Sequence, residues 1–307
     1  MGSEDQAALE ALESRIRAIL PETYQDNYED VQPVPMGSAD LKYTRDGQVA
    51  WDEMWGSFCD LAMAGGPPHK GTLLEPDPQV EIDAQPESYQ EVVEQICRGI
   101  AMVTDLYAEQ SPVPGWVRVN CLNRGTADWL LRAITMENVS VRGDGLELDL
   151  PAGTSYRLEK EIKNVITVMA KTTHYWFGHT SQAQRGSIRN LLATMDEESP
   201  LLQPATLFHA FESRSHEAVK EMMSEAIGEL TGLRTSNHHY FGWLGIEHPD
   251  VRSANWMMRA MVASNVLSRR EGTVLFLPVD PVRDASGERA VQTALRLHRF
   301  AALRGIL

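Results

Sequence analysis

Apolar and polar residues follow a pattern that occurs twice along the chain, and the two occurrences are separated by 127 positions. Residues 115–151 recur almost without gaps at 242–278. Identical residues keep this separation throughout the block: Trp116 and Trp243, Trp129 and Trp256, Arg132 and Arg259, Asn138 and Asn265, Pro151 and Pro278. Chance does not maintain a register over such a length, so the sequence predicts two copies of one folding unit.

Within the repeated block the pattern predicts a strand, a helix and a hairpin. Apolar and polar residues alternate from Trp116 to Cys121, which is the period of a strand. Apolar residues at spacings of three and four then define one helical face from Ala127 to Ile134. Asp144–Gly145 and its counterpart Glu271–Gly272 stand between alternating segments and predict two-residue hairpin turns.

The remaining pattern adds helices on both sides of each block. Helices are predicted at 7–20, 50–63, 87–106 and 213–230, and each copy ends in a further helix. Because a hairpin forces an antiparallel strand pair, a doubly wound parallel sheet is excluded. The predicted fold class is α+β, built by duplication of a helix-strand-helix-hairpin-helix unit in a pseudo-twofold arrangement. The predicted domains are an N-terminal arm (1–44), a first repeat unit (45–179) and a second repeat unit (180–307).

Two tryptophans are predicted to point away from the core of their own unit. Trp129 and Trp256 lie opposite the apolar face of their helices, so each requires a cover. A neighbouring helix is one candidate for this cover. The alternative is that the two faces meet across the pseudo-twofold axis or a subunit interface, with Arg132 and Arg259 lining the cleft.

The two hairpins differ in the residues on their outer face. Glu147 and Asp149 in the first hairpin are replaced by Val274 and Phe276 in the second. One face of the first hairpin is therefore expected to be exposed to solvent, whereas both faces of the second hairpin are expected to be covered by protein. The N-terminal arm and another subunit are the candidates for that cover.

The composition argues against several classes of protein and against a location in the membrane. The 307 residues include 43 acidic and 28 basic ones, and the net charge of −15 disfavours nucleic acid as a partner. No run of 18 apolar residues exists, and the first residues resemble neither a signal nor a transit peptide. Three cysteines without C-x-x-C spacing predict neither a disulfide framework nor a zinc ribbon. We expect a soluble, cytoplasmic protein without membrane contact.

A glycine-rich loop from Gly65 to Gly71 is the first candidate for chemistry. Its glycines permit close approach of the backbone to a ligand, and His69 with Lys70 could hold or protonate an anionic group. The alternative is a surface turn between helices. The matching stretch of the second copy, 196–200, is acidic, and this asymmetry favours the functional interpretation.

Two further segments combine histidines with aromatic residues. The last helix of the first copy ends with His174, Tyr175 and Trp176. These residues could form one wall of a ligand site, or they could be an aromatic helix end that packs between the two copies. His238 and His239 precede the first strand of the second copy, where a metal would need partners from elsewhere. His174 and His179 are five positions apart and are not expected to share a helix face, so no metal site is predicted.

These residues support two functions of different classes. The first is an enzyme, for example a biosynthetic one, that binds a small polar or anionic metabolite at the junction of the two units. Its catalytic residues would be His69, Lys70 and His174, and its ligand contacts Arg132, Tyr175, Trp176, His238, His239 and Arg259. The second is a non-catalytic ligand-binding or protein-assembly module, with homo-oligomer formation as an option. No recognised catalytic motif occurs, so reaction class and cofactor stay open.

Overall fold

The computed structural model describes residues 3–26, 28, 41–54, 71–205, 213–238 and 240–307. In chain order the described elements are α1 (Ser3–Ile19), α2 (Gln79–Ala84), α3 (Pro86–Thr104), β1 (Tyr107–Gln110), β2 (Trp116–Asn120), α4 (Arg124–Met136), β3 (Arg142–Asp144), β4 (Glu147–Pro151), α5 (Lys163–Gly178), α6 (Gln182–Glu198), α7 (Ser213–Thr231), β5 (Trp243–Glu247), α8 (Val251–Ala263), β6 (Arg269–Glu271), β7 (Val274–Pro278) and α9 (Glu288–Leu303). This mixture of helices and antiparallel sheets is the predicted α+β class. None of these helices is long and apolar enough to cross a bilayer.

The described chain divides into two compact units. The central unit holds residues 41–54 and 71–189, and the terminal unit holds 3–28 and 190–307. The division into an N-terminal arm and two repeat units, with boundaries after residues 44 and 179, remains a prediction. Most of the predicted helix at 50–63 lies outside the described residues, and its described beginning, Trp51–Met54, is a 3-10 turn.

The central unit is built around a four-stranded antiparallel sheet in the order β1-β2-β4-β3. Val117 pairs with Leu150 and Val119 with Leu148, and these four side chains are buried. The helices α3 and α5 pack together, and α4 packs on α5. The edge strand β1 was not predicted, because Tyr107–Gln110 is largely exposed and lacks apolar alternation.

The terminal unit contains a three-stranded antiparallel sheet in the order β5-β7-β6. Leu244 pairs with Leu277 and Ile246 with Leu275, which repeats the buried pairing of the central sheet. Both α1 and α9 pack against α8. The strands β5, β6 and β7 and the helix α8 each begin and end 127 positions after β2, β3, β4 and α4.

The predicted turn residues adopt the backbone conformation that their types favour. Gly145 and Gly272 in the hairpins have φ of 67° and 56°, in the left-handed region. Asn138 and Asn265 follow α4 and α8 with φ of 57° and 60°, and an Asn directly after a helical pattern predicts such a left-handed residue. Their carbonyl oxygens accept hydrogen bonds from the backbone N–H groups of Leu74 (2.8 Å) and Leu202 (3.0 Å).

The outward-facing tryptophan of the central unit is covered by a neighbouring helix. Trp129 stacks on Trp176 of α5, with the ring centroids 5.0 Å apart. Trp256 is fully buried in α8, which packs against α1 and α9 of its own unit. The first of the two predicted explanations, a covering helix, therefore accounts for Trp129.

The expectation for the first hairpin is confirmed for Glu147, whose side chain is 42% exposed, and is wrong for Asp149, which is only 5% exposed. It lies between Arg118 and Arg142 on the two neighbouring strands, at 3.0 and 2.6 Å. Phe276 of the second hairpin is covered as predicted, although by residues that the sequence did not indicate. The Tyr240 ring meets it edge-on at 5.4 Å, and the Arg269 guanidinium lies 3.9 Å from its centroid.

Candidate functional site

A small pocket lies in the central unit, where α5 ends and where α6 and α4 begin. Its volume is about 220 Å³. The residues that line it are Asn123, Thr126, Trp176, Phe177, Gln182, Arg185 and Arg189. Two helix starts and one helix end therefore bring polar, aromatic and cationic side chains together.

One wall of the pocket is held by a chain of hydrogen bonds. The Nε1–H of Trp176 donates to Thr126 Oγ1 at 2.9 Å, and that hydroxyl donates to Asn123 Oδ1 at 3.2 Å. Asn123 is also the N-cap of α4, because its Oδ1 accepts from the backbone N–H of Thr126 at 3.0 Å. The start of α4 and the end of α5 are thereby fixed to each other, and the Trp176 ring cannot rotate without breaking this network.

Arg185 connects the end of α5 to the start of α6. Its Nη1 donates to the carbonyl oxygens of Trp176, Phe177 and Thr180 at 3.0, 3.2 and 2.5 Å. Two of these carbonyls belong to the last turn of α5, where no intrahelical donor is available. Within the part of the chain that the structure describes, Nε and Nη2 of Arg185 donate to no residue, so they remain available to a ligand.

Arg189 lies one turn further along α6 and is exposed. It forms no hydrogen bond or ion pair with any described residue. Its stem crosses Gly125 so closely that a Cβ at Gly125 would lie 2.0 Å from Arg189 Cγ. The absence of a side chain at Gly125 therefore determines where the Arg189 guanidinium can lie.

The lining residues can bind an anion but cannot move a proton near neutral pH. Two guanidinium groups, which stay protonated in proteins, provide positive charge. Of the described residues around the pocket, none that lines it is Asp, Glu, His, Cys, Lys or Tyr. The arrangement thus has cationic donors and an aromatic wall, without a general acid or base.

The structure places the predicted residues of the α5 end in different environments. Trp176 lines the pocket, whereas Tyr175 is fully buried and its ring lies 5.3 Å from that of His179. His174 is exposed, and its Nε2 lies 3.1 Å from His179 Nε2. Arg132 is buried on α4 and donates from Nη1 to the carbonyl oxygen of Asp128 at 2.8 Å.

The other predicted residues lie in the terminal unit or outside the described chain. His69, Lys70 and His239 are outside the described residues. The side chain of His238 is 56% exposed, and its Nδ1 is 3.4 Å from Glu271 Oε2. Arg259 is buried on α8, and burial together with nearby Arg270 lowers its pKa to about 10. The proposed convergence of His69, His174 and His238 or His239 in one pocket stays a prediction.

Sequence reasoning missed both arginines of the pocket, although two local signals point to them. Arg185 stands in the first turn of α6, where the helix dipole favours acidic side chains instead, and Arg189 lies one turn further along. Gly125 occupies the second position of α4, and a helical glycine loses more conformational freedom on folding than any other residue. Cationic residues at a helix start and an unexplained helical glycine are both features that a ligand site can account for.

Other reactive groups in the described residues have structural environments. Burial raises the pKa of the Cys97 thiol to about 11 and that of Cys121 to about 12, so both thiols are protonated at neutral pH. Among the residues that the structure describes, no three or more His, Cys, Asp or Glu side chains are grouped so as to hold a metal ion.

Comparison with protein-family models, curated proteins and solved structures found no match to this chain.

Proposed function

We propose that the protein binds a small anionic metabolite in the pocket of the central unit, and that this site is a binding site rather than a catalytic one. The supporting observation is a pair of guanidinium groups with unused donors, Arg185 and Arg189, in a lining without acidic or proton-transferring groups. The volume of about 220 Å³ is smaller than that of most drug-sized sites. A ligand of few heavy atoms, such as a phosphate or a short carboxylate, fits this volume.

The negative charge of the chain confines anion binding to places with a local positive charge, such as this pocket. The protein as a whole carries −15, so an anion is repelled from most of its surface. Arginine forks bind carboxylate and phosphate through two parallel hydrogen bonds. Trp176 and Phe177 add an apolar wall, which favours an anionic group attached to a short carbon skeleton.

We further infer an internal duplication from the 127-position spacing of the paired elements. The inferred copies differ at the place of the pocket, since Asp250 occupies in α8 the N-cap position that Asn123 occupies in α4. Asp250 keeps the capping hydrogen bond but adds a negative charge, which disfavours an anion. Anion binding therefore belongs to the central unit. Catalysis by His69, Lys70 and His174, homo-oligomer formation and a cytoplasmic location stay predictions.

Replacing Arg189 by Gln is expected to weaken anion binding by about 10- to 100-fold, because hydrogen bonds to charged groups contribute about 1.5–3 kcal/mol. The measurement is isothermal titration calorimetry of the full chain with inorganic phosphate and with succinate. Arg296→Gln is the matched control. Arg296 is exposed on α9 of the terminal unit, and its replacement removes the same charge. Equal losses in the two variants, or no binding of either anion at millimolar concentration, contradict the proposal.

Gly125→Ala is expected to reduce anion affinity severalfold without lowering the melting temperature. Alanine is favoured over glycine in a helix by about 1 kcal/mol, but its Cβ would displace the stem of Arg189. Gly186→Ala is the control, since a Cβ there lies 3.9 Å from Arg189 Nη2 and requires no movement. Calorimetry with the same two anions distinguishes the variants. An unchanged affinity in Gly125→Ala shows that Arg189 does not contribute from its observed position.

A further inference from the structure

The end of α5 brings two histidine rings together on the surface of the central unit. His174 lies in the last turn of α5, and His179 is its C-cap residue. Their Nε2 atoms are 3.1 Å apart, and the ring planes are inclined by 69°. Both residues are exposed. His179 lies one residue beyond the end of α5, so the two rings meet although they do not share a helix face.

The separation of the two nitrogens suits a shared metal ion. Histidine nitrogens bind Zn²⁺ at roughly 2.0–2.1 Å. Two such ligands are therefore about 2.9 Å apart at a right angle and about 3.4 Å apart at the tetrahedral angle. The observed 3.1 Å lies within this range. No side chain would have to move far for both lone pairs to meet one ion.

The contact between the two rings is also compatible with coordination. In the metal-free pair one ring can donate a hydrogen bond to the other, which requires a single proton between the two nitrogens. A metal ion can take the place of that proton and accept a lone pair from each of the two Nε2 atoms.

We propose that His174 and His179 form a binding site for a late first-row divalent cation, through their two Nε2 atoms. Imidazole ligands suit copper, nickel and zinc, and Cu²⁺ binds such ligands more tightly than Zn²⁺ does. Mg²⁺ and Ca²⁺ prefer oxygen ligands and are excluded as occupants. Two protein ligands leave coordination positions for water, so the ion is exchangeable. The site uses neither arginine of the anion pocket and is independent of the proposed function.

The test is a metal titration of the full chain after removal of metals with a chelator. Zn²⁺ and Cu²⁺ are added in competition with a chromophoric chelator to the wild type and to His174→Gln and His179→Gln. Each variant is expected to lose at least about tenfold in affinity, since even the loss of an outer partner of a metal ligand costs that much. His238→Gln, which alters an exposed histidine of the terminal unit, is expected to bind as the wild type does.

A second readout separates metal binding from a structural effect. Zn²⁺ should raise the melting temperature of the wild type and of His238→Gln, because a ligand that binds only the folded state stabilises it. Neither His174→Gln nor His179→Gln should show this rise, whatever its melting temperature without metal. Wild-type affinity in both variants, an equal loss in His238→Gln, or no binding by the wild type overturns the proposal.

Discussion

Removing either charge of the ion pair between Glu137 and Lys171 is expected to destabilise the central unit by about 3–5 kcal/mol, because the remaining charge stays buried and loses its counter-charge. Lys171 Nζ lies 2.9 Å from Glu137 Oε1, and the two side chains are 1% and 0% exposed. The pair joins the end of α4 to the middle of α5. Lys171→Met removes the counter-charge of Glu137, and Glu137→Gln removes that of Lys171.

Urea unfolding followed by tryptophan fluorescence measures this loss, since Trp129 and Trp176 report on the contact between α4 and α5. Arg157→Met in the same unit is the control. Its partner Glu161 is close by, but the Arg157 side chain is 58% exposed, so the loss should stay below about 1 kcal/mol. If the buried and exposed replacements cost the same, the ion pair does not hold the two helices together.

The proposed duplication suggests a double variant that restores most of the stability. At the spacing of 127 positions, Ser264 occupies in the terminal unit the place of Glu137. The last helices of the two copies align at a spacing of 129, which matches Ile162 and Val165 with Val291 and Ala294 and gives Phe300 the place of Lys171. Phe300 is buried there. Glu137→Ser with Lys171→Phe removes both charges together, so neither charge is left buried without its counter-charge. The double variant should therefore lose much less than the sum of the single losses.

Lowering the pH from 6.5 to 4 is expected to remove about 3 kcal/mol of stability from the terminal unit through His248 alone. His248 follows β5 and is 6% exposed. Burial, and secondarily the proximity of His298, lowers its pKa to about 4. The unfolded chain binds a proton near pH 6.5, whereas the folded chain does so only near pH 4. Stability is therefore complete above pH 6.5 and declines as the pH falls towards 4.

The measurement is the urea midpoint of unfolding at several pH values between 7 and 4. Carboxylates, and His216 and His298 with their lowered pKa values, add to the slope in the wild type. The contribution of His248 is the difference between the wild type and His248→Gln, which should unfold with a weaker pH dependence. His238→Gln, an exposed histidine, serves as the control and should retain the wild-type slope. Identical slopes in all three proteins contradict a depressed pKa at His248.

The parts of the fold that were predicted correctly depend on local sequence. Gly145 and Asn138 adopt the left-handed backbone that their residue types allow, and alternating apolar residues mark β2. Asp149 was assigned wrongly, because its burial depends on Arg118 and Arg142 from two other strands. Strand register decides which side chains become neighbours, and a period along one strand does not contain that information.

The candidate site was predicted only at Trp176. The contact between Arg189 and Gly125 joins two helices that are distant in sequence, and no local period relates them. The contact between His174 and His179 crosses the end of α5, where the helical period no longer applies. Side chains from different segments converge at such helix ends, and a period along one helix does not describe them.

The packing of α1 on α8 has a consequence for the order of events during translation. Leu9, Leu12 and Ile16 of α1 are buried in the terminal unit, but α8 begins only at Val251. At a synthesis rate of about 5–20 residues per second, α1 leaves the ribosome roughly 10–50 s before its partner helix. The entire central unit emerges in that interval and can fold first. We therefore expect the nascent chain to expose the apolar face of α1 to chaperones until the last third of the protein has been made.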